Sequence, residues 1–128
     1  HSLSLSYAEF YKASQTRSSF YQHLLGLFSQ FDVIALPAAQ VWPFPIAQRW
    51  PQTIDGNPMD TYHRWMECTI YATLGGLPAV SVPAGFHATQ AWPMGLQLMG
   101  APQGDGALLK VAAAYEAISA SLLQKRPQ

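Results

Sequence analysis

The chain has 128 residues, the length of one domain, of which 49% are hydrophobic and only 11% charged; soluble domains usually carry about a quarter charged residues, so much of this surface is expected to be covered. Seven basic and seven acidic residues cancel and lie scattered, which excludes the basic stripe that nucleic-acid binding needs. The single cysteine, Cys68, excludes an intrachain disulfide and a thiolate metal cage, and points to a reducing, cytoplasmic compartment.

No apolar run approaches the ~20 residues that cross a bilayer, so no membrane span is expected. The start, His1-Ser2-Leu3-Ser4-Leu5-Ser6, lacks the charged-then-apolar pattern of a secretory signal. With no Met at its start, the chain is expected to be a processed or excised piece. Ser6-Tyr7-Ala8-Glu9 fits a capping box, and Phe10, Tyr11, Ser14, Arg17, Tyr21, Leu24, Leu25 and Phe28 follow at helical spacing. This predicts a helix over about 7–29. Phe31-Asp32-Val33-Ile34-Ala35-Leu36 reads as a buried strand, stopped by Pro37. Residues 38–58 hold Pro43, Pro45, Pro51, Pro58, Trp42 and Trp50, which forbid long regular structure. Their apolar content (Val41, Phe44, Ile46) predicts a segment docked on another surface.

Asn57-Pro58-Met59-Asp60 reads as a second helix start, with Tyr62, Trp65, Met66, Thr69, Ile70, Thr73 and Leu74 as its stripe. Gly75-Gly76 ends it. Strands follow at about 79–84 and 94–99, joined by a short link that favours antiparallel pairing. Asp105 is expected to cap a last helix, about 105–123, with Leu108, Val111, Ala112, Tyr115, Ile118 and Leu122 on one side and Lys125-Arg126-Pro127 at its end. The strands (about 32–36, 79–84, 94–99) and helices (about 7–29, 59–74, 105–123) predict an α/β fold layered helix on sheet on helix, with a mixed sheet. Three strands are few for a sheet covered on both faces, so an incomplete unit is expected. Exposed strand edges and apolar faces also predict self-association.

The most telling run is Gly75-Gly76-Leu77-Pro78-Ala79-Val80-Ser81-Val82-Pro83-Ala84-Gly85-Phe86, followed after a short polar link by Pro93-Met94-Gly95-Leu96-Gln97-Leu98-Met99-Gly100. It resembles the C-terminal part of the amidase signature family, serine hydrolases that cleave carboxamides. With the upstream helix and strand, and Gly104-Asp105-Gly106-Ala107-Leu108-Leu109 downstream, the resemblance covers roughly residues 7 to 120. It implies that residues 1–128 are the C-terminal part of a single amidase-signature domain. The N-terminal remainder is then its structural partner, a small-molecule amide its substrate, and no cofactor or metal is needed.

The family's chemistry uses a serine nucleophile, a neighbouring serine in a cis peptide and a lysine base, in a glycine- and serine-rich loop whose amides stabilise the oxyanion. No such loop occurs here. Ser18-Ser19 lies mid-helix without flanking glycine, and Lys12 and Lys110 fall on solvated helix faces. The catalytic motif is therefore expected outside this chain, which alone should be inactive. Ser81 is not in a nucleophile elbow and is expected to be a packed strand hydroxyl bonded to backbone. Cys68 and His63, five apart on a helix, point about 140° apart, so an inert thiol is expected. His63 and Glu67 can pair along one face. His23 and His87 have no second ligand at metal-binding spacing, so no metal site is expected.

In the resembled family the helix before Gly-Leu-Pro borders the acyl pocket, which makes Met66, Thr69, Ile70 and Thr73 candidate substrate contacts. Glutamine-using members, the amidotransferase subunits that make aminoacyl-tRNA amides, favour an acid where Met66 stands and asparagine where Thr73 stands. An apolar Met66 cannot pair with a substrate ammonium, so an apolar or aryl carboxamide is implied. The alternative is a non-catalytic scaffold that keeps the family's C-terminal fold.

Overall fold

In the computed structural model, which describes residues 4–124, the first helix, α1 (Tyr7–Phe28), opens on the predicted capping box. Ser6 Oγ accepts from the Glu9 N–H at 3.3 Å, and Glu9 Oε2 accepts from the Ser6 N–H at 2.8 Å. The hydrogen bonds from the Ser6 hydroxyl and N–H hold the Glu9 carboxyl below its ordinary range. The remaining elements are β1 (Ile34–Pro37), β2 (Thr53–Ile54), β3 (Asn57–Pro58), α2 (Tyr62–Trp65), a 3-10 turn (Glu67–Thr69), α3 (Ile70–Gly75), β4 (Ala79–Phe86), β5 (Pro93–Met99), α4 (Asp105–Ile118) and α5 (Ala120–Leu123). The start at His1–Leu3 and the expected Lys125-Arg126-Pro127 helix ending lie outside the described residues.

The main sheet has the order β1-β5-β4, with Ile34 opposite Met99 on one side and Ala79 opposite Met99 on the other. Side chains alternate across it as a strand demands. Met99 packs with Leu24, Ala72 and Leu77 beneath α1 and α3, while Leu98 and Val82 pack with Leu108 and Ala112 of α4. The Tyr115 hydroxyl donates to the Pro83 carbonyl at 2.8 Å and fixes α4 across β4. Helix, sheet and helix are thus layered as expected, and β4–β5 is the expected antiparallel hairpin.

Several expectations are corrected. Both pairings in this sheet are antiparallel, so the described sheet is not mixed. The six-residue link turns β5 back along β4, and β1 then adds antiparallel to the far side of β5. A parallel neighbour has room only at the outer edges of β1 and β4. Asn57-Pro58 is not a helix start. Asp55 and Gly56 both have positive φ (47° and 74°) and close a β2–β3 hairpin, in which Asn57 and Pro58 are strand residues. The helix expected over 59–74 is accordingly α2, a 3-10 turn and α3, beginning after Thr61. Gly76, left-handed at φ 61°, ends it as predicted. The last helix starts on Gly104, with Asp105 as its first residue and no side-chain cap, and it breaks at Ser119. His63 does not pair with Glu67, whose Oε1 instead accepts from the Tyr71 hydroxyl at 2.9 Å.

Much apolar surface stays open. Tyr7 (82%), Phe10 (64%) and Ile118 (85%) are exposed although they fall on or beside the apolar stripes of α1 and α4. The chain exposes 9412 Å², whereas a self-contained 14.1 kDa protein exposes roughly 6,700 Å² by surface–mass scaling. The excess over that figure is about 2,700 Å², where a standard interface covers about 800 Å² per partner. Among the described residues no helix is long and apolar enough to cross a membrane.

Candidate functional site

The site is built on the inner face of the sheet, where Ser81 of β4 stands opposite Gln97 of β5. Both are polar positions in otherwise apolar strands. Gln97 is buried, and its Nε2 donates to the Cys68 carbonyl at 3.0 Å, tying the 3-10 turn to the sheet. The next residue, Thr69, donates its hydroxyl back to the Met66 carbonyl at 2.8 Å. Thr69, Ser81, Gln97, Ala38 and Ala79 border a cavity of about 280 Å³ that opens beside the free edge of β4.

A second cavity of about 250 Å³ adjoins it, lined by Trp42, Phe44, Trp65, Met94 and Gly95 and sharing Ala38. The proline-rich segment forms its wall; Val41 and Phe44 are half-buried there, as the expected docking requires, whereas Ile46 is fully exposed and stays undocked. Gln40 Nε2 donates to the Arg64 carbonyl at 3.0 Å, and Trp50 Nε1 donates to the Met59 carbonyl at 3.1 Å. Gly95 allows the two cavities to approach. A Cβ there would lie 2.9 Å from both the Ala38 Cβ and the Ser81 Oγ.

Of the four residues expected to contact substrate, only Thr69 borders the first cavity. Met66 is half-buried where α2 ends, with φ −98° and ψ 9°. Ile70 is half-buried and Thr73 exposed on α3. The break at Met66 divides the stripe, so these side chains do not form one helical face. Ser81 is exposed, where a packed hydroxyl was expected, because β4 is an edge strand. Cys68 is half-buried, and burial raises its thiol above the ordinary 9.0. That matches an unreactive sulfur. Lys12, Lys110, Ser18 and Ser19 are exposed, and the Ser18 hydroxyl donates to the Ser14 carbonyl within α1. Among the described residues no three His, Cys, Asp or Glu side chains converge.

The sequence reading missed the aromatic wall and the Ser81–Gln97 pair. The signal for the pair was present, as two polar residues each two positions from apolar neighbours on facing strands. The wall depends on where an irregular segment folds back, which no periodicity records.

Comparison with known proteins identifies the family and the fold. The Amidase family model matches residues 1–109. A glutamyl-tRNA(Gln) amidotransferase subunit from Dehalococcoides mccartyi is 31% identical over 113 residues, covering 88% of this chain and 22% of that protein. The crystal structure of the corresponding amidotransferase subunit from Thermotoga maritima is 32% identical with a TM-score of 0.67, covering 85% of this chain and 22% of that one. A bacterial aryl acylamidase of the amidase signature enzymes shares the fold with a TM-score of 0.78 at 24% identity, over 98% of this chain and 27% of its own. The chain therefore spans about a fifth of the length of the curated relatives it matches.

Proposed function

Because this chain belongs to the amidase family, we propose that it is the C-terminal segment of an enzyme that hydrolyses a carboxamide to a carboxylate and ammonia or an amine. The observation that carries this reading is the uncovered surface. An excess of about 2,700 Å² is over three times what one partner gives to a standard interface. The outer edges of β1 and β4 and the exposed Tyr7, Phe10 and Tyr11 of α1 lie on this open surface. The preceding part of the same polypeptide is the partner that would cover these faces.

In this reading the nucleophile is a serine outside the segment. Its oxygen attacks the amide carbonyl and forms an acyl-enzyme ester, while the C–N bond breaks and the amine leaves with a proton. Water then cleaves the ester. The segment supplies sheet strands, covering helices and one wall of the substrate pocket, with Met66, Thr69, Ile70 and Thr73 as proposed contacts. Apolar Met66 favours an apolar or aryl carboxamide over glutamine, since a buried ammonium needs an anionic partner.

The test uses the full-length protein. It is expected to hydrolyse an aromatic amide faster than glutamine, while residues 1–128 alone show no turnover. A clear preference for glutamine removes the substrate reading. Serine-dependent turnover by the isolated segment removes the placement of the nucleophile.

A further inference from the structure

We infer that the cavity beneath the proline-rich segment receives a single aromatic ring of the substrate, with Trp42, Phe44 and Trp65 as its specificity-determining walls. This rests on the carboxamide reading above and gives the ring a location. An apolar cavity of about 150 Å³ is enough to hold benzene, so the 250 Å³ here accepts one ring and the atoms that link it to an amide.

The walls are held in place before any ligand arrives. Phe44 and Trp65 stand edge to face, with ring centres 5.5 Å apart at 89°. Trp42 meets His87 at 5.0 Å and 89°. His87 is in turn fixed by Trp92 at 5.8 Å and by the Thr89 and Gln90 N–H groups, each donating to its Nδ1 at 3.4 Å. Rings already ordered lose little freedom on binding, and edge and face contacts suit another aromatic ring. Among the described residues the buried Trp65 Nε1–H has no hydrogen-bond partner, a cost that phenylalanine would not carry.

The ring cavity also adjoins the one bordered by Thr69, Ser81 and Gln97. Ala38 lines both, and the missing side chain of Gly95 keeps them adjacent. In this proposal a ring against Phe44 and Trp42 leaves its amide on the Gly95 side, where Thr69 and Ser81 border the adjoining cavity. Thr69 is the one proposed substrate contact that borders that space.

The experiment compares kcat/KM for ring-bearing and aliphatic amides in the full-length enzyme. Benzamide and acetanilide put the ring on the acyl or the amine side, and propionamide carries none. The preference for the better ring substrate over propionamide is expected to fall about tenfold in Phe44→Ala and in Trp42→Ala, mainly through KM, and to persist in Phe44→Tyr. Phe44→Leu, closer in volume, should lower it as well if the alanine variants fold poorly. An unchanged preference in the folded variants overturns the inference. Should the wild-type enzyme turn over no amide, the carboxamide reading fails separately. Calorimetric benzamide binding then decides the site: loss in Phe44→Leu supports it, and equal or absent binding in wild type and variant overturns it.

Discussion

The side-chain amide of Gln97 reaches the main-chain carbonyl of Cys68, 29 residues earlier in the chain, at 3.0 Å. Gln97 is buried on the central strand, and Cys68 sits in the 3-10 turn between α2 and α3. One hydrogen bond therefore fixes the height of Thr69 above the sheet. Gln97→Leu keeps the burial and removes the donor, leaving a carbonyl unpaired at a cost of about 1–3 kcal/mol. Amide hydrogen exchange in the full-length protein should accelerate most at residues 66–70. Exchange that rises evenly over the whole domain, or stays unchanged at 66–70, speaks against this bond as the strut.

Adjacent glycines close α3 for different reasons. At Gly76 the backbone is left-handed, with φ 61° and open space where a Cβ would stand. At Gly75 the conformation is helical, but a Cβ would lie 2.7 Å from the Leu24 Cδ1. Gly76→Ala is expected to cost about 1–2 kcal/mol from backbone strain alone, and Gly76→Asn less, since asparagine tolerates this conformation. Equal losses for Ala and Asn in thermal unfolding count against backbone strain as the cause.

These positions show what was legible. Gly75-Gly76, the Ser6–Glu9 capping box and the β4–β5 hairpin are local devices, and local chemistry fixes them. The layering was legible too, because Leu98 and Met99 are successive residues that must face opposite ways. The error at Asn57-Pro58 came from weighting a cap and a following proline above Asp55-Gly56, the stronger signal for a tight hairpin. Phe10 and Ile118 were legible only as stripe positions, because periodicity records which side of a helix is apolar, not whether anything covers it. At the site, Thr69 was legible as part of a stripe. Its separation from Met66 was not, because the break between them is stabilised by Gln97, a contact far along the chain. The walls made by Trp42 and Phe44 depend likewise on the long-range docking of Gln40 onto Arg64.

Cys68 gives a pH test of the same region. Burial is the main cause of its raised thiol pKa; the thiol's own backbone opposes it, and the Glu67 carboxylate adds to it slightly. The folded state therefore favours the neutral thiol more than the unfolded chain does. The resulting stability is fully present below the ordinary thiol range and is lost as pH rises through the raised folded value. Because the thiolate is the reacting species, alkylation of the folded protein by iodoacetamide should reach half its limiting rate above pH 9.0, the group's ordinary value. Gln97→Leu, by loosening the turn that carries Cys68, should move that midpoint back toward the ordinary value. A midpoint below 9.0 in the wild-type protein would mean an activated thiol, and the view of Cys68 as an inert packing residue would have to be given up.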